Sequence, residues 1–191
     1  MLTELDAINV MLSAIGESPV STLDSLHPDV LSSKLLLKQA RYEVLSAGRW
    51  FNTERNITLN LSSTNEILLP ANCIDVDPVD TSLDYVQRGV KLYNTTKHSF
   101  YFDAPAVVDM ILDMPFDELP FVAQNLVMYN AAHALQANFV GDERKLQNLA
   151  TRFEQARREF NKAEIKNLDV NARKSPTAKR LLGGFRNLGV M

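Results

Sequence analysis

The sequence is poor in the features that mark several classes of protein. It contains one cysteine, Cys73, among 191 residues, which excludes an intrachain disulfide framework and any metal site built from several thiolates. The first six residues include Glu4 and Asp6, where a secretory signal carries basic residues, so we expect no export.

Long runs of purely apolar residues are also missing. The least charged stretch, residues 119–141, contains six polar side chains: Gln124, Asn125, Asn130, His133, Gln136 and Asn138. Placing this number of polar groups in lipid would be costly, and the sequence therefore argues against a membrane span. We expect a soluble protein made inside the cell.

Common enzyme motifs are absent. The chain has no Walker loop, no dinucleotide-binding fingerprint and no His-Glu-x-x-His motif. Residues 16–20 begin like a nucleophile elbow but carry valine in place of the last glycine, and they follow a predicted helix instead of a strand. The three histidines, His27, His98 and His133, lie in different predicted elements, so they do not form a metal site. Cys73 has no neighbouring base that would activate its thiol. We therefore predict no catalytic residue, no cofactor and no metal site.

Hydrophobic residues make up 46% of the chain and charged residues 23%, as in ordinary folded proteins. Thr3 and Asp6 form a capping-box pattern that predicts the start of a helix. Apolar residues then follow at spacings of three and four: Leu5, Ile8, Leu12 and Ile15. Gly16 suits the end of this helix.

A second helix is predicted from Pro28, because proline and the following acid favour a first turn. Its apolar stripe would be Val30, Leu37, Ala40, Val44 and Ala47, with Gly48 as its end. Trp50 and Phe51 follow directly, and we expect them to fix the helix end in the core.

The middle of the chain has the character of short strands. Between residues 56 and 114, β-branched and aromatic runs are broken by Asn, Asp, Pro and Gly. The predicted strands are Ile57–Leu61, Ile67–Leu69, Tyr85–Gln87, Val90–Tyr93, Ser99–Phe102 and Val107–Leu112. They indicate a small antiparallel β domain inserted between helices.

Two further helices are predicted after this region. The stretch from Pro120 to Val140 is apolar on every side, which favours a helix buried in a core or against other subunits. From Asp142 to Asn171, one face has a seam typical of a coiled coil: Leu146, Leu149, Phe153, Ala156, Phe160 and Ala163. Glu154 and Arg158 are predicted to pair on the outer face, and the length of this helix favours a role in assembly.

These patterns predict an α+β fold: a mainly helical bundle with an inserted β domain and an extended C-terminal arm. The boundaries place N-terminal bundle helices at 1–51, the β domain at 52–117, C-terminal bundle helices at 118–171 and the arm at 172–191.

Charge is unevenly placed along the chain. The net charge is −3, and residues 172–191 carry +5 with no acid, so the first 171 residues carry −8. Apolar residues are interspersed among these charges: Leu181, Leu182, Phe185, Leu188 and Val190. This pattern favours a segment that binds an acidic partner over a frayed terminus. Nucleic acid, a membrane surface and an acidic protein groove all fit.

Acidic residues cluster in the β region: Asp75, Asp77, Asp80, Asp84, Asp103, Asp109, Asp113, Asp117 and Glu118. A pair of carboxyl groups is the machinery of glycoside hydrolysis, which leaves a hydrolase as an alternative. A solvated acidic face with acids in turns explains the cluster more simply. A negative surface would also repel the phosphates of passing DNA.

Several blocks of sequence resemble the tail tubular protein A family, the head-to-tail adaptors of short-tailed bacteriophages. The clearest blocks are 7–12, 15–23 and 48–52, the last with Glu54 and Ile57–Leu59. Looser matches are Leu69-Pro70, Arg88-Gly89, Leu92-Tyr93, 118–120 and 139–141. Arg49 interrupts the family's glycine-tryptophan pair, and residues 172–191 match poorly.

The resemblance implies a non-enzymatic virion protein that forms a ring, of twelve copies, beneath the portal. Such a ring receives the tail nozzle (tail tubular protein B), helps to seat the tail fibre protein and forms part of the channel through which genomic DNA leaves. A tail-associated cell-wall or polysaccharide hydrolase is the alternative, and a DNA-binding protein is a further rival. As portal-binding residues we predict the charged and aromatic members of the arm: Arg173, Lys174, Lys179, Arg180, Phe185 and Arg186.

Overall fold

The computed structural model describes residues 2–138 and 143–174. In this part of the chain the fold is α+β, as predicted, with helices on both sides of a β region in sequence. The elements are α1 (Glu4–Ile15), α2 (Pro28–Leu45), β1 (Thr53–Leu59), β2 (Cys73–Pro78), β3 (Tyr85–Arg88), β4 (Lys91–Asn94), β5 (Ala106–Leu112), a short 3-10 turn (Phe116–Glu118), α3 (Phe121–Asn138) and α4 (Glu143–Lys174).

Helix α1 has the ends that the sequence predicts. The Thr3 hydroxyl accepts a hydrogen bond from the Asp6 backbone N–H at 3.1 Å, and the Asp6 carboxylate accepts one from the Thr3 N–H at 2.9 Å. These bonds to Thr3 lower the pKa of Asp6. Gly16 ends the helix with a φ of +91°, a left-handed conformation that glycine adopts without strain.

Helix α2 begins at Pro28 as predicted but ends earlier than expected. His27 caps it, because its Nδ1 accepts a hydrogen bond from the Asp29 N–H at 3.4 Å. The last helical residue is Leu45, so Ala47 lies beyond the helix and is exposed. The inclusion of Ala47 in the apolar stripe was therefore wrong. Gly48 turns the chain with a φ of +64°, and a Cβ there would lie 2.9 Å from the Ile111 side chain.

Helix α3 is the centre of the bundle, and α1, α2 and α4 all pack against it. Most of its circumference is buried, which confirms the prediction from its apolar composition. One polar member of this core, Gln124, is fully buried. Its amide N–H groups bond the Leu2 and Phe116 carbonyl oxygens at 2.8 and 3.0 Å. The Gln124 side chain on α3 thus bonds both the residue that precedes α1 and the 3-10 turn that precedes α3.

Helix α4 has 32 residues, about 48 Å at 1.5 Å per residue. The predicted seam faces inward: Leu149, Ala156 and Phe160 are buried, and Leu146, Phe153 and Ala163 are half-buried. On the outer face, Glu154 pairs with Arg157 at 3.5 Å. The predicted pair with Arg158 was therefore wrong in its partner.

The β region contains two small sheets. One has the antiparallel order β1-β5-β2, and the other is the β3-β4 hairpin. Two predicted strands, 67–69 and 99–102, form only isolated bridges. Strand β2 was not predicted. A compact core of its own holds the region together: Ile67, Leu69, Cys73, Val76, Leu92, Phe102, Ala106, Val108 and Met110.

Asn52 joins the bundle to the β region. Its side chain is buried, and its Nδ2 donates to the Leu45 carbonyl at 3.0 Å and to the Leu112 carbonyl at 2.8 Å. Its Oδ1 accepts from the Arg49 N–H at 2.7 Å. One side chain therefore connects the end of α2, the following turn and the end of β5.

An aromatic cluster covers the same junction. Trp50 and Phe51 are half-buried, and Trp50 lies 4.9 Å from Phe51 and 5.3 Å from Phe160, between ring centroids. Arg49 lies over the Phe160 ring and pairs with Glu164 at 2.9 Å. The cluster attaches α4 to the end of α2.

Replacing Asn52 with alanine should lower the free energy of unfolding by about 2–4 kcal/mol, because three hydrogen bonds to backbone groups are lost. Chemical denaturation followed by circular dichroism measures the change. Asn60→Ala, at an exposed position, is the matched control and should change the value by less than about 0.5 kcal/mol. Equal values for the two variants would contradict the role of Asn52.

Trp50→Ala should cost about 2–4 kcal/mol, somewhat less than the loss of a fully buried tryptophan, because the ring is half-buried. Thermal and chemical unfolding monitored by circular dichroism measures this cost. Tyr101→Ala removes a ring that is 51% exposed, and it should cost less than about 1 kcal/mol. An unchanged unfolding curve for the Trp50 variant would show that its ring is not packed.

Candidate interaction surfaces

The structure reaches only the beginning of the predicted portal-binding segment. Arg173 and Lys174 are the last two residues of α4. The other predicted contact residues lie outside the described residues: Lys179, Arg180, Phe185 and Arg186. Helix α4 therefore leads directly into the basic segment, and the portal contact stays a prediction.

The three histidines have separate structural surroundings. His27 caps α2, and His98 has a positive φ of 50° at a turn. His133 stacks on Phe153 across the α3–α4 contact, with 6.5 Å between ring centroids. Within residues 2–138 and 143–174, no group of three or more potential metal ligands comes together.

Cys73 is a buried member of the β-region core. Its Sγ–H donates to the Asp75 carbonyl oxygen at 3.3 Å. Burial, with the nearby Asp75 charge, raises the pKa of the thiol, which disfavours the nucleophilic thiolate. The sulfur thus has the surroundings of a packing residue.

Several acids of the β region take part in local contacts. Asp113 pairs with Arg41 of α2 at 3.1 Å, with about a fifth of each side chain exposed. Asp109 accepts from the Asn56 N–H at 2.8 Å, where β1 has an irregular register. Asp117 accepts from the Glu4 N–H at 2.7 Å, beside the start of α1. These three acids hold backbone or a guanidinium in place.

The β region is strongly acidic as a whole. Residues 52–117 contain ten acidic and four basic residues, a net charge of −6. Asp77 and Asp109 lie directly opposite each other on β2 and β5, a placement of like charges that does not favour strand pairing.

One exposed side of α2 is apolar. Leu31, Leu35 and Tyr42 are 48%, 58% and 39% exposed, at spacings of four and seven residues. Lys38 lies between them and is 5.9 Å from the centroid of the Tyr42 ring. We call these four residues the α2 face. The sequence contains the signal of this face, because its residues have helical spacing, but it lies beside a second apolar stripe, the one that faces the core.

A groove of about 480 Å³ lies between α3 and α4. Within it, Arg152 donates to the Tyr129 hydroxyl oxygen at 3.3 Å. We call it the α3/α4 groove, and it is lined by Val122, Asn125, Tyr129, Arg152, Gln155, Ala156 and Glu159. Phe121, 58% exposed, immediately precedes Val122 at the start of α3. The groove has no signal in the sequence, because it depends on how α3 and α4 pack.

The described helices also bear on the membrane question. Among residues 2–138 and 143–174, no helix combines the length and the apolar character that crossing a lipid bilayer requires.

Comparison with known proteins gives one consistent result. The model of a family described as tail tubular protein matches residues 5–170. The Tail tubular protein A of Klebsiella phage KP34 is 29% identical over 181 residues, which cover 94% of this chain and 96% of the relative. The resemblance inferred from the sequence is therefore confirmed, and the chain belongs to the tail tubular protein family, as a structural component of a bacteriophage tail.

Proposed function

We propose that this protein is the adaptor that joins the phage head to the tail. Copies form a closed ring, of twelve, beneath the portal protein. The ring receives the tail nozzle, tail tubular protein B, on its far side and seats the tail fibre protein. Genomic DNA passes through its channel without sequence-specific binding.

The observation that carries this proposal is the extent of the match to a protein named Tail tubular protein A. The shared sequence covers 94% of this chain and 96% of that relative, so it includes the bundle and the β region together. A match of one module would support only a shared building block. A match of nearly the whole length supports a shared role.

Two features of the fold agree with a ring. Helix α4 has 32 residues and is about 48 Å long, whereas α3 has 18 residues. A helix of this length is well suited to the wall of a ring. The α2 face and the α3/α4 groove are different surfaces, and contacts between different surfaces generate rings when the rotation closes.

The charge distribution agrees with a channel for DNA. The β region carries −6, and a negative surface that faces the duplex repels its phosphates. DNA that meets such a surface moves past it without binding. We therefore place the β region toward the channel and the basic segment, residues 172–191, toward the portal.

Truncation after Asn171, which removes the whole basic segment, should abolish binding to the cognate portal, because the segment combines +5 charge with apolar residues. Co-sedimentation of the full chain and of this truncation with the portal measures the binding. A second truncation ending at Lys174 keeps α4 complete and removes three of the five charges, so it tests the contribution of Arg173 and Lys174.

A full-length chain with the five basic residues replaced by glutamine is the control that separates charge from apolar contact. If this variant still binds the portal and its affinity no longer falls as salt is raised, the remaining affinity comes from the apolar residues. Undiminished binding by both truncations would move the portal contact to the folded body. No binding by the full chain would contradict the adaptor.

The purified protein should not degrade peptidoglycan or polysaccharide. A general acid needs a raised pKa, whereas Glu66 and Asp80 of the β region have a lowered pKa, and Asp109 and Asp113 hold a backbone N–H and a guanidinium in place. Release of soluble sugar from purified cell wall is the measurement. The hydrolase alternative would be favoured if the wild type released sugar and a folded Asp109→Asn or Asp113→Asn variant did not.

A further inference from the structure

We propose that the α2 face of one copy packs into the α3/α4 groove of the next copy, as the repeating contact of the assembly. This inference rests on the proposed ring and adds the two surfaces that build it. The occupant of the groove is thus a second copy of this chain.

The α2 face has the properties of a surface that is covered in use. Leu31, Leu35 and Tyr42 are exposed together on one side of a helix. Scattered single apolar side chains are normal on a protein surface, but an aligned apolar set on one side of a helix is typical of a helix that lies in a groove. Nothing within the described chain covers this set.

The groove has both polar and apolar lining. Val122, Ala156 and the ring of Tyr129 are its apolar members, and its charged residues, Arg152 and Glu159, lie seven positions apart on α4. A helix face with apolar side chains and one charge of each sign can meet both kinds of lining.

The two surfaces face different directions. On α3, Asn130 bonds Glu43 of α2 at 2.9 Å, whereas Asn125 lines the groove. Five residues of helix turn the side chain by about 140°, at about 100° per residue. A copy that offers its α2 face to one neighbour therefore leaves its groove free for the neighbour on the other side.

The order of charges favours one orientation. Along α2, Lys38 precedes Glu43, and along α4, Arg152 precedes Glu159. If the two helices run antiparallel, Lys38 faces Glu159 and Glu43 faces Arg152. The spans agree within side-chain reach, about 7.5 Å on α2 and about 10.5 Å on α4. Three of these charges have an exposed partner in their own chain: Glu43 accepts from Asn130, Arg152 donates to Tyr129, and Glu159 pairs with Lys162. Such surface contacts exchange at little cost.

Two other occupants fit less well. Pairing of two α2 faces closes after two copies and leaves both grooves uncovered. The segment 175–191 carries three basic residues and no acidic side chain, so in the groove it offers a partner to Glu159 but none to Arg152. A second copy, with Lys38 and Glu43 on α2, offers a partner to each.

Disulfide capture tests the contact directly. In a Cys73→Ala background, the full-length variants Tyr42→Cys and Gln155→Cys, which lie opposite each other in the antiparallel arrangement, are mixed in equal amounts and oxidised, alone and bound to the cognate portal. We expect a disulfide between the two variants, and a ladder of covalent oligomers when both substitutions are in one chain. Leu68→Cys, 54% exposed on the β region, replaces Tyr42→Cys in the control and should give no such product.

Each other result overturns the inference in a recognisable way. Cross-linking of Tyr42→Cys to itself would identify a two-fold α2 pair. Loss of the 42–155 product in the truncation ending at Lys174 would identify the terminal segment as a participant. A closed oligomer without the 42–155 disulfide would refute these surfaces and keep the ring. Absence of any oligomer in either setting would refute the ring as well.

Charge reversal gives an independent readout of orientation. Lys38→Glu and Glu159→Lys should each weaken self-association, measured by sedimentation velocity, by about two- to tenfold. The double variant should recover most of the wild-type affinity, because it restores an opposite pair. Additive losses in the double variant would refute the antiparallel arrangement.

Discussion

The arrangement of the whole chain depends on the hydrogen bonds of one buried amide, that of Asn52. A helical bundle and a small sheet meet here, and each has its own apolar core. Two separate cores do not fix each other's position, because hydrophobic contact is not directional. Hydrogen bonds from one side chain to the ends of α2 and β5 supply that direction. The pair of Arg41 and Asp113, which also spans the junction, holds it at a second point.

The sequence predicts the helices well because their signals are local. Thr3, Asp6 and Gly16 determine the ends of α1 through contacts within a few residues, and the α4 seam repeats over several turns. Strand β2 escaped prediction because Asp75, Asp77 and Pro78 interrupt its pattern, and its pairing with β5 decides its structure. β-strand pairing is a property of two distant segments, so one segment alone does not reveal it.

The candidate surfaces show the same limit. The residues of the α2 face have helical spacing in the sequence. Which of the two apolar stripes of α2 stays exposed, however, is decided by the packing of α2 on α3. The α3/α4 groove has no signal in either helix separately. The charge of residues 172–191 is evident from composition, whereas the conformation that binds a partner depends on that partner. The fold class and the charge of residues 172–191 can thus be predicted from the sequence, whereas the exposed surfaces depend on how the helices pack.

Helix α4 also determines where the basic segment starts. Phe160 is the last buried side chain described on α4, and the helix continues for fourteen residues to Lys174, about 21 Å of helix. At physiological ionic strength, salt screens charges over about 8 Å. The start of the basic segment thus lies more than two screening lengths along the helix axis from the Phe160 contact. Charge that enters the chain at the end of α4 therefore acts on the surroundings of that helix end and leaves the contact at Phe160 undisturbed.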